Sequence, residues 1–500
     1  MTMTGTELLN ARLKMTWPLA LFGLLWVTTP CWSQPRQNVL FIAVDDLRTE
    51  LGCYGVKEAQ SPYLDQFARQ SIVFDHHYVQ VPTCGASRYA LLTGRSPRNS
   101  GVTSNNAALY QGPSALKVNA TQGAASMPEL FRMSGYRTIC IGKISHTPDG
   151  RVFAYNGQGD GRHELPNAWD ELATPFGPWK RGWGTFFAYA GGRHREDGNG
   201  HEDLMEFKAE NDRDLPDGLM ADVAIRRLTE LKDQDQPFFM GLGFFKPHLP
   251  FVATRSDWKA MEQVDVQPPT SPNRPDSDYW HRSGEFYRYK MDFPKQNPLA
   301  MEDAVTTRRA YLACVRYVDR QIGKVLEHLD QIGLADETIV VVWGDHGWHL
   351  GESAIWAKHA PYERALNSTL MIRAPQLGNA PSMCHALVET VDVYPTLVDL
   401  CGLKPHTQHT LDGQSLKPLL VDPQSPGRDV SISYWRKAIS IRSRDYRLIV
   451  RAGTSGMENV ELYDLRDSKD PLENLASTKP KLVEELLQAG KFVDSEGSRR

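Results

Sequence analysis

Four runs of apolar, often β-branched residues stand between segments with helical periodicity in this chain. Such short runs are typical of strands that are buried on both faces of a parallel sheet. Strands that alternate with helices form α/β proteins, in which helices cover the faces of the sheet. We therefore expect a large mixed, mostly parallel sheet sandwiched by helices. The predicted strands are 38–44, 138–141, 238–244 and 338–343.

Helical periodicity and a later change of pattern complete the predicted architecture. Two stretches with weak periodicity, 149–214 and 267–297, are interpreted as long surface loops near the ligand crevice. After a main domain at 34–425, residues 426–500 alternate in the manner of antiparallel strands, which predicts a small C-terminal α+β domain with an antiparallel sheet. The predicted helices are 63–70, 127–133, 218–232, 306–332 and 391–401, and the C-terminal elements are strands 430–434, 438–441 and 446–450 with a helix near 482–487.

Residues 1–33 have the three regions of a secretory signal peptide. Arg12 and Lys14 precede an apolar stretch, 17–27, and a short polar region follows it. No later segment approaches about 18 uninterrupted apolar residues, so we expect a soluble chain exported to a periplasmic, extracellular or lysosome-like compartment. A lipid anchor on Cys31 is the less favoured alternative, because the residues before it match a lipoprotein signal poorly.

Charge and cysteine content narrow the class of protein. The 56 basic and 60 acidic residues nearly cancel, and they form no long run of one sign. This excludes nucleic acid or an anionic membrane as the main partner. The cysteines of the mature chain lack the paired spacing of a zinc ribbon or of a disulfide scaffold. A single bridge, such as one between Cys384 and Cys401, is compatible with export, but the spacing leaves connectivity open.

Polar side chains follow each of the four predicted strands. In open α/β sheets, ligands bind outside the carboxyl ends of the strands, so these side chains are expected to converge on one crevice. Neighbouring carboxylates are costly to bury without a cation, and an oxygen-rich set suits Ca²⁺ or Mg²⁺. For an isolated acidic pair, a turn or a helix cap is the alternative. The residues concerned are Asp45 and Asp46, Lys143 with His146, His248, and Asp345 with His346.

Cys84 stands at the start of a further predicted helix, in the run Cys84-Gly85-Ala86-Ser87-Arg88. Unpaired N–H groups and the macrodipole make such a position favourable for a phosphate or a sulfate. The alternative is a small cysteine buried at a loop-to-helix junction. Lys143, His146, His248 and Lys358 supply the kind of donors that hold a tetrahedral anion and protonate a leaving alcohol, although each alone is equally compatible with a structural role.

In these motifs the chain resembles the sulfatases of the alkaline phosphatase superfamily, and within them the iduronate-2-sulfatase-like branch. The similarity spans nearly all of the mature chain, in the order of the family. Its motifs are at 38–48, 84–94, 135–146, 245–251, 344–352, 356–358 and 391–397. The resemblance implies an alkaline phosphatase-like fold and an enzyme that hydrolyses sulfuric esters of carbohydrates.

The resemblance also implies a role for each matching residue. A maturation enzyme would oxidise Cys84 to formylglycine, whose hydrate attacks the sulfate ester. Ca²⁺, with Mg²⁺ as the alternative, would be held by Asp45, Asp46, Asp345 and His346 together with residue 84. Arg88 and Lys143 would steady the formylglycine. His146, His248 and Lys358 would serve the sulfate and the leaving group. A hard cation suits a hydrate oxygen better than a thiolate.

Three positions depart from the common family pattern: Ala86 replaces a proline, His346 replaces an asparagine, and His359 replaces an aromatic residue of iduronate-type enzymes. Trp348 and His359 are predicted to contact the substrate and to bear on sugar specificity. Two alternatives remain. One is a phosphodiesterase or phosphonate monoester hydrolase of the same superfamily, and the other is a noncatalytic protein that binds sulfated glycans.

Overall fold

Strands and helices alternate along the chain, as the apolar pattern predicts. The computed structural model describes residues 36–105, 125–155, 157–197, 201–378, 380–453 and 456–492. They belong to one compact unit that begins at Arg36, and the predicted signal peptide at 1–33 lies outside them. The described strands are β1 (Asn38–Val44), β2 (Ile72–Phe74), β3 (His77–Tyr78), β4 (Arg137–Gly142), β5 (Glu171–Leu172), β6 (Met205–Ala209), β7 (Phe238–Phe244), β8 (Phe251–Thr254), β9 (Thr338–Gly344), β10 (Leu370–Arg373), β11 (Ser382–Cys384), β12 (Val388–Glu389), β13 (Ser431–Trp435), β14 (Ala438–Arg442), β15 (Tyr446–Ala452) and β16 (Met457–Asp464). The described helices are α1 (Pro62–Ala68), α2 (Cys84–Thr93), α3 (Pro97–Ser100), α4 (Met127–Met133), α5 (Trp183–Phe186), α6 (Pro216–Leu231), α7 (Arg255–Glu262), α8 (Met301–Gln331), α9 (Glu363–Leu366), α10 (Val393–Leu400), α11 (Lys417–Val421) and α12 (Pro480–Ala489).

An eight-stranded sheet, in the order β11-β2-β10-β9-β1-β7-β4-β5, forms the centre of the molecule. β10 runs antiparallel to its neighbours β9 and β2. The other described neighbours in this sheet pair in parallel. The predicted α/β fold with a mixed, mostly parallel sheet is therefore confirmed.

The side chains of β1 alternate between two apolar cores, one on each face of the sheet. Leu40, Ile42 and Val44 pack in the core that includes residues of α6 and α8. Phe41 and Ala43 pack in the core that includes residues of α2, α4 and α10. Both faces of β1 are completely buried, and burial of apolar surface contributes about 25 cal/mol per Å². After Asn38, this strand therefore presents no polar side chain until it ends at the carboxyl edge of the sheet.

Regular structure departs from the prediction at several places, including strands β2, β10 and β11, which the apolar pattern does not predict. The predicted loops at 149–214 contain α5 and two short strands, because Trp183 and Phe186 bury their rings in the core and β6 pairs with β8. Helix α8 begins at Met301 rather than at residue 306, and the acidic side chains of its first turn favour the helix N-terminus. Within the described part of the chain, none of the helices combines the length and the apolar character needed to cross a bilayer.

A separate antiparallel sheet, β13-β14-β15-β16, follows near the C-terminus. Leu486 of α12 packs with Ile441 and Leu448 on one face of this sheet, which confirms the predicted C-terminal α+β unit. Its fourth strand, β16, has no counterpart in the prediction, because Glu458 and Glu461 interrupt the apolar pattern. The domain limits at 425 and 426 stay a prediction.

The described cysteines are all free thiols. The bridge between Cys384 and Cys401 is therefore not formed. Cys384 ends β11, whereas Cys401 lies at the end of α10, where its thiol interacts with the hydroxyl of Tyr136.

His77 in β3 is a completely buried imidazole, which contacts the carbonyl of Ser368 and the hydroxyl of Thr390. Burial lowers its pKa to about 4, although the Ser368 carbonyl favours the charged form. A histidine in an unfolded chain has a pKa of about 6.5, so this group's stabilisation is complete above that pH and is lost as the pH falls towards 4. We expect the wild type to lose about 3 kcal/mol more unfolding free energy than His77→Gln between pH 7 and pH 4. Denaturant unfolding at each pH measures this difference.

His406→Gln is the matched control, because His406 is exposed and its replacement is expected to leave the pH dependence unchanged. Equal pH slopes for wild type and His77→Gln would contradict the prediction.

Candidate active site

Two carboxylates continue directly from neighbouring strands of the central sheet. Asp45 follows β1, and Asp345 follows β9. The main-chain N–H of Asp45 donates to the carbonyl of Phe244 at 3.2 Å, and the N–H of Asp345 donates to the carbonyl of Val44 at 3.2 Å. These bonds extend the parallel pairing by one residue. The sheet itself therefore fixes the starting positions of both buried side chains.

Asp46 adopts a left-handed backbone conformation, with φ of 63°. Among non-glycine residues, Asp and Asn tolerate this conformation best. Two hydrogen bonds hold it: the N–H of Asp46 donates to Asp345 Oδ1 at 3.0 Å, and the hydroxyl of Tyr311 in α8 donates to the Asp46 carbonyl at 2.8 Å. Asp46 Oδ2 is buried without a hydrogen-bond partner among the described residues.

Cys84 is the first residue of α2 and is only 3% exposed. Its Sγ lies 3.4 Å from Asp45 Oδ1, 3.2 Å from His346 Nε2 and 3.3 Å from Lys358 Nζ. The Thr83 side chain does not cap the helix, and the positive end of α2 faces this group of polar side chains. Burial, reinforced by Asp45, raises the pKa of the Cys84 thiol to about 12. The thiol is therefore protonated at neutral pH, unlike the thiolate of a catalytic cysteine.

Three buried cations neutralise the carboxylates. The Arg88 guanidinium bridges them, with Nε 2.9 Å from Asp345 Oδ2 and Nη2 3.3 Å from Asp45 Oδ2. Lys143 forms an ion pair with Asp45. Lys358 Nζ lies 2.8 Å from Asp46 Oδ1. Removing any one of these partners would leave a charge buried without compensation, at a cost of about 3–5 kcal/mol.

The two adjacent carboxyls differ in acidity. Burial opposes ionisation of Asp45, but Lys143 and Arg88 together hold its pKa well below the ordinary value. Burial raises the pKa of Asp46 well above the ordinary value, despite the attraction of Lys358. Asp46 is thus the carboxylate least compensated by the described protein groups.

Three imidazoles border the carboxylates. His346 Nε2 lies 3.4 Å from Asp46 Oδ1, and its Nδ1 is 3.0 Å from the Gly347 carbonyl. His248 Nε2 lies 3.8 Å from Asp46 Oδ2. His146 Nδ1 is buried and has no partner among the described residues. Burial, together with Lys143 for His146 and Lys358 for His248, holds the pKa values of both rings well below the ordinary value, so both are neutral at pH 7.

The donor set at these strand ends fits a divalent cation. Possible ligand atoms of Asp45, Cys84, Asp345 and His346 all lie within 4.8 Å of one another, and Asp46 belongs to an overlapping group. The oxygen-rich set suits a hard cation such as Ca²⁺ or Mg²⁺. The buried Asp46 Oδ2, which has no hydrogen-bond partner among the described residues, fits such an ion, because buried carboxylate oxygens normally have a partner.

Comparison with known proteins accounts for this arrangement. The family model described as Sulfatase matches residues 37–403, which includes every one of these side chains. The chain belongs to the sulfatase family. A second model, described as N-sulphoglucosamine sulphohydrolase, C-terminal, matches residues 351–489. The prediction of a sulfuric ester hydrolase from the sequence motifs is confirmed.

Curated sulfatases match over most of their length. Iduronate 2-sulfatase of Homo sapiens is 28% identical over 498 residues, covering 83% of this chain and 85% of the human protein. A sulfatase of Formosa agariphila is 30% identical over 473 residues, covering 88% of this chain and 82% of that protein. Among solved structures, the phosphonate monoester hydrolase SpPMH from Silicibacter pomeroyi has a TM-score of 0.70 at 22% identity, covering 93% of this chain and 99% of that chain. This last likeness shows the shared fold.

In this member of the sulfatase family, Trp348 is buried in the interior, whereas His359 lies closer to the surface. Trp348 is 1% exposed, with the Lys358 ammonium 5.2 Å from its ring centroid and with no partner for its own N–H among the described residues. His359 is half-buried, and its Nδ1 lies 2.8 Å from the Ser283 hydroxyl. Its ring stacks on Trp435 at 5.0 Å. His359 reaches a surface cavity, whereas Trp348 lies beneath Lys358.

That cavity, called the cleft from here on, has a volume of about 770 Å³. Its lining includes Tyr155, Lys180, Arg288 and His359. Tyr155 stacks on Trp183, whose ring also contacts His146. His359 follows Lys358 in the chain and lies 3.4 Å from the Thr83 hydroxyl, next to Cys84. The cleft is thus joined to the surroundings of Cys84 at two points.

Residues that the sequence motifs do not reveal also hold the site in place. The Asn105 side-chain oxygen accepts the N–H of Gly85 at 2.8 Å at the start of α2. Glu164 accepts the N–H of His146 at 3.2 Å. Tyr311 supports Asp46 from α8. Each lies far from its partner along the sequence or in an irregular loop, so no local pattern identifies it.

Proposed function

We propose that this chain is an exported sulfatase that hydrolyses sulfate esters of carbohydrates, through a formylglycine made from Cys84 and a divalent metal. The observation that carries the proposal is the position of Cys84. Its Sγ lies at a helix N-terminus, within 3.4 Å of Asp45, His346 and Lys358. In the proposed mature enzyme, an oxygen of formylglycine replaces this sulfur. The signal-like segment at 1–33 supports export.

The metal would be held by Asp45, Asp46, Asp345 and His346, with residue 84 completing the set. When bound, a divalent cation supplies positive charge that favours the ionised form of an oxygen ligand and polarises a sulfate ester. Ca²⁺ is the proposed ion and Mg²⁺ the alternative, because three of these side chains are carboxylates. Three carboxylates already face three cations, so a divalent ion makes the centre net positive and suited to an anionic substrate.

Side chains of the protein itself hold the reacting groups in position. Arg88 and Lys143 form ion pairs with Asp45 and thereby fix the position of its carboxylate beside residue 84. Burial opposes the charge of Lys358, but Asp46 together with Cys84, Glu285 and Asp45 holds the lysine pKa well above the ordinary value, so Lys358 remains charged. Its ammonium, 3.3 Å from Sγ, is placed to donate to a sulfate oxygen.

Formylglycine at position 84 supplies, as its hydrate, the oxygen nucleophile for sulfur. The bond between sulfur and the sugar oxygen then breaks, and the sugar oxygen requires a proton. His146 and His248 are neutral imidazoles within this group of side chains, so either ring can accept the proton that the attacking hydroxyl would lose and, as the imidazolium, pass it to the sugar oxygen. The unpartnered Nδ1 of His146 leaves that ring free to exchange a proton with the leaving alcohol.

Carbohydrate is the proposed substrate class for two reasons. The human relative is an iduronate 2-sulfatase, and the cleft of about 770 Å³ is large enough for a sugar ring and its neighbour. The structural likeness to a phosphonate monoester hydrolase reflects fold and does not favour that activity. The intact carboxylates, lysines and Arg88 argue against a noncatalytic binding protein, because such buried charges are costly to keep.

The test combines mass spectrometry with turnover. Protein produced with its maturation enzyme is expected to carry formylglycine at position 84, which is lighter than cysteine, and to hydrolyse an aryl sulfate far faster than an aryl phosphodiester or phosphonate. A control preparation made without that enzyme is expected to contain cysteine and to be inactive. Equal activity of both preparations would contradict the formylglycine route, and a preference for phosphodiesters would favour the alternative hydrolase.

A further inference from the structure

The cleft beside Cys84 contains more positive charge than its own carboxylates neutralise. Four basic side chains line it, and the two carboxylates of its lining belong to Glu196 and Glu285. Arg195 uses both, with Nη2 2.6 Å from Glu196 and Nη1 3.6 Å from Glu285. Arg195 is also largely buried and packs over Phe187. The charge of Arg195 is therefore already paired, and its side chain forms part of the wall of the cleft.

The remaining cations are more open to a ligand. Arg181 lies 3.7 Å from Asp149, and its side chain is 45% exposed. Lys180 and Arg288 are exposed and form no ion pair with any described carboxylate. Exposed single cations are ordinary, but two of them without partners in the lining of one cavity produce a local positive potential.

The C-terminal sheet adds a third cation at the rim. Arg436 lies in the turn between β13 and β14, and its Nη2 is 3.1 Å from Nε2 of His281, which lines the cleft. It too has no ion pair with a described carboxylate. The neighbouring Trp435 stacks on His359, so this turn packs directly against the cleft residue that follows Lys358. The turn thus places Arg436 beside His281, at the edge of the cleft that Lys180 and Arg288 line.

We propose that Lys180, Arg288 and Arg436 bind a second anionic group of the substrate, a carboxylate or a sulfate on the sugar next to the one whose ester is cleaved. This inference rests on the proposed function. Guanidinium groups suit the planar or tetrahedral oxygens of such anions, and His281 orients Arg436 without neutralising it. The substrate is then a glycan of at least two sugars with at least two negative charges.

Four substrates separate the possibilities: an aryl sulfate, a monosulfated disaccharide with a neutral neighbouring sugar, one with a neighbouring uronate, and one with a second sulfate. For Arg288→Ala and Arg436→Ala, kcat/KM on the two dianionic substrates, relative to the aryl sulfate, is expected to fall roughly 10-fold each, mostly through KM. A larger effect on the substrate with the uronate would identify the second anion as a carboxylate, and a larger effect on the substrate with the second sulfate would identify it as a sulfate. Added salt is expected to weaken wild-type turnover of the dianionic substrates most.

Arg226→Ala is the matched control, since Arg226 is an exposed arginine on α6 that does not line the cleft. For Arg226→Ala, the ratio of kcat/KM on each dianionic substrate to kcat/KM on the aryl sulfate is expected to equal that of the wild type. Unchanged ratios in both cleft variants would overturn the inference while leaving sulfatase activity intact. If the wild type cleaves none of the four substrates, the proposed function fails instead, and calorimetric binding of the dianionic disaccharides to wild type and cleft variants then decides the inference by itself.

Discussion

Cys84→Ala is expected to abolish hydrolysis of an aryl sulfate, with the remaining rate at the level of the uncatalysed reaction. Alanine removes the Sγ atom, which lies within 3.4 Å of Asp45, His346 and Lys358. It also removes the precursor of formylglycine, so no maturation enzyme restores the nucleophile. The measurement is single-turnover release of the aryl alcohol by purified variant and wild type at equal concentration.

Two comparisons keep this result specific to residue 84. Cys53→Ala alters a free, partly buried cysteine outside the group of site residues and is expected to keep wild-type turnover. Thermal unfolding of Cys84→Ala is expected to remain cooperative, because the methyl group of alanine fits where a small side chain is already buried. Turnover above a tenth of the wild-type rate in Cys84→Ala would refute the assignment of the nucleophile.

Asp46→Asn is expected to lower Ca²⁺ affinity and turnover by roughly 10²- to 10³-fold, because it removes the charge of one of the three proposed carboxylate ligands. Asparagine has nearly the same shape and tolerates the left-handed backbone at φ 63°, so the substitution removes charge and leaves the local fold in place. Calorimetric titration with Ca²⁺ measures the affinity. In the wild type, chelation is expected to abolish turnover and added Ca²⁺ to restore it.

Asp399→Asn is the control for charge alone, because Asp399 is exposed and pairs with Lys417 at the surface. It is expected to change neither quantity measurably. Wild-type Ca²⁺ affinity in Asp46→Asn would show that Asp46 is not a ligand. Turnover that resists exhaustive chelation would contradict the proposed metal.

The sequence pattern predicts the parallel strands of this fold well for a physical reason. β1 and β7 are buried on both faces, so their apolar runs begin and end where the strands do, at Asn38–Val44 and Phe238–Phe244. β16 lies at an edge, and Glu458, Glu461 and Asp464 interrupt its apolar residues, so its pattern resembles a loop. The start of α8 is missed because its first turn is polar and contributes little to the apolar periodicity.

The site residues also divide into those that the sequence pattern predicts and those that it does not. Asp45, Asp345 and the polar residues after β4 and β7 are predictable, because parallel strands end at a common edge. Asn105 and Tyr311 are not, since each acts through a single hydrogen bond formed by tertiary packing. Trp348 and His359 are neighbours of the catalytic motifs in sequence, yet one is buried under an ammonium group and the other reaches the cleft. Their roles in substrate binding stay predictions.

The burial of Cys84 also has a consequence for the order of events during biosynthesis. At 3% exposure, enclosed by Asp45, His346 and Lys358, its thiol is out of reach of another protein once the central sheet has assembled. Asp45 follows β1, whereas His346 and Lys358 follow β9, which is synthesised long after Cys84. The proposed oxidation therefore competes with folding. On that proposal, closure of β9 onto β1 before oxidation would leave cysteine at position 84 and an inactive molecule, so the specific activity of a preparation would depend on the order of the two events.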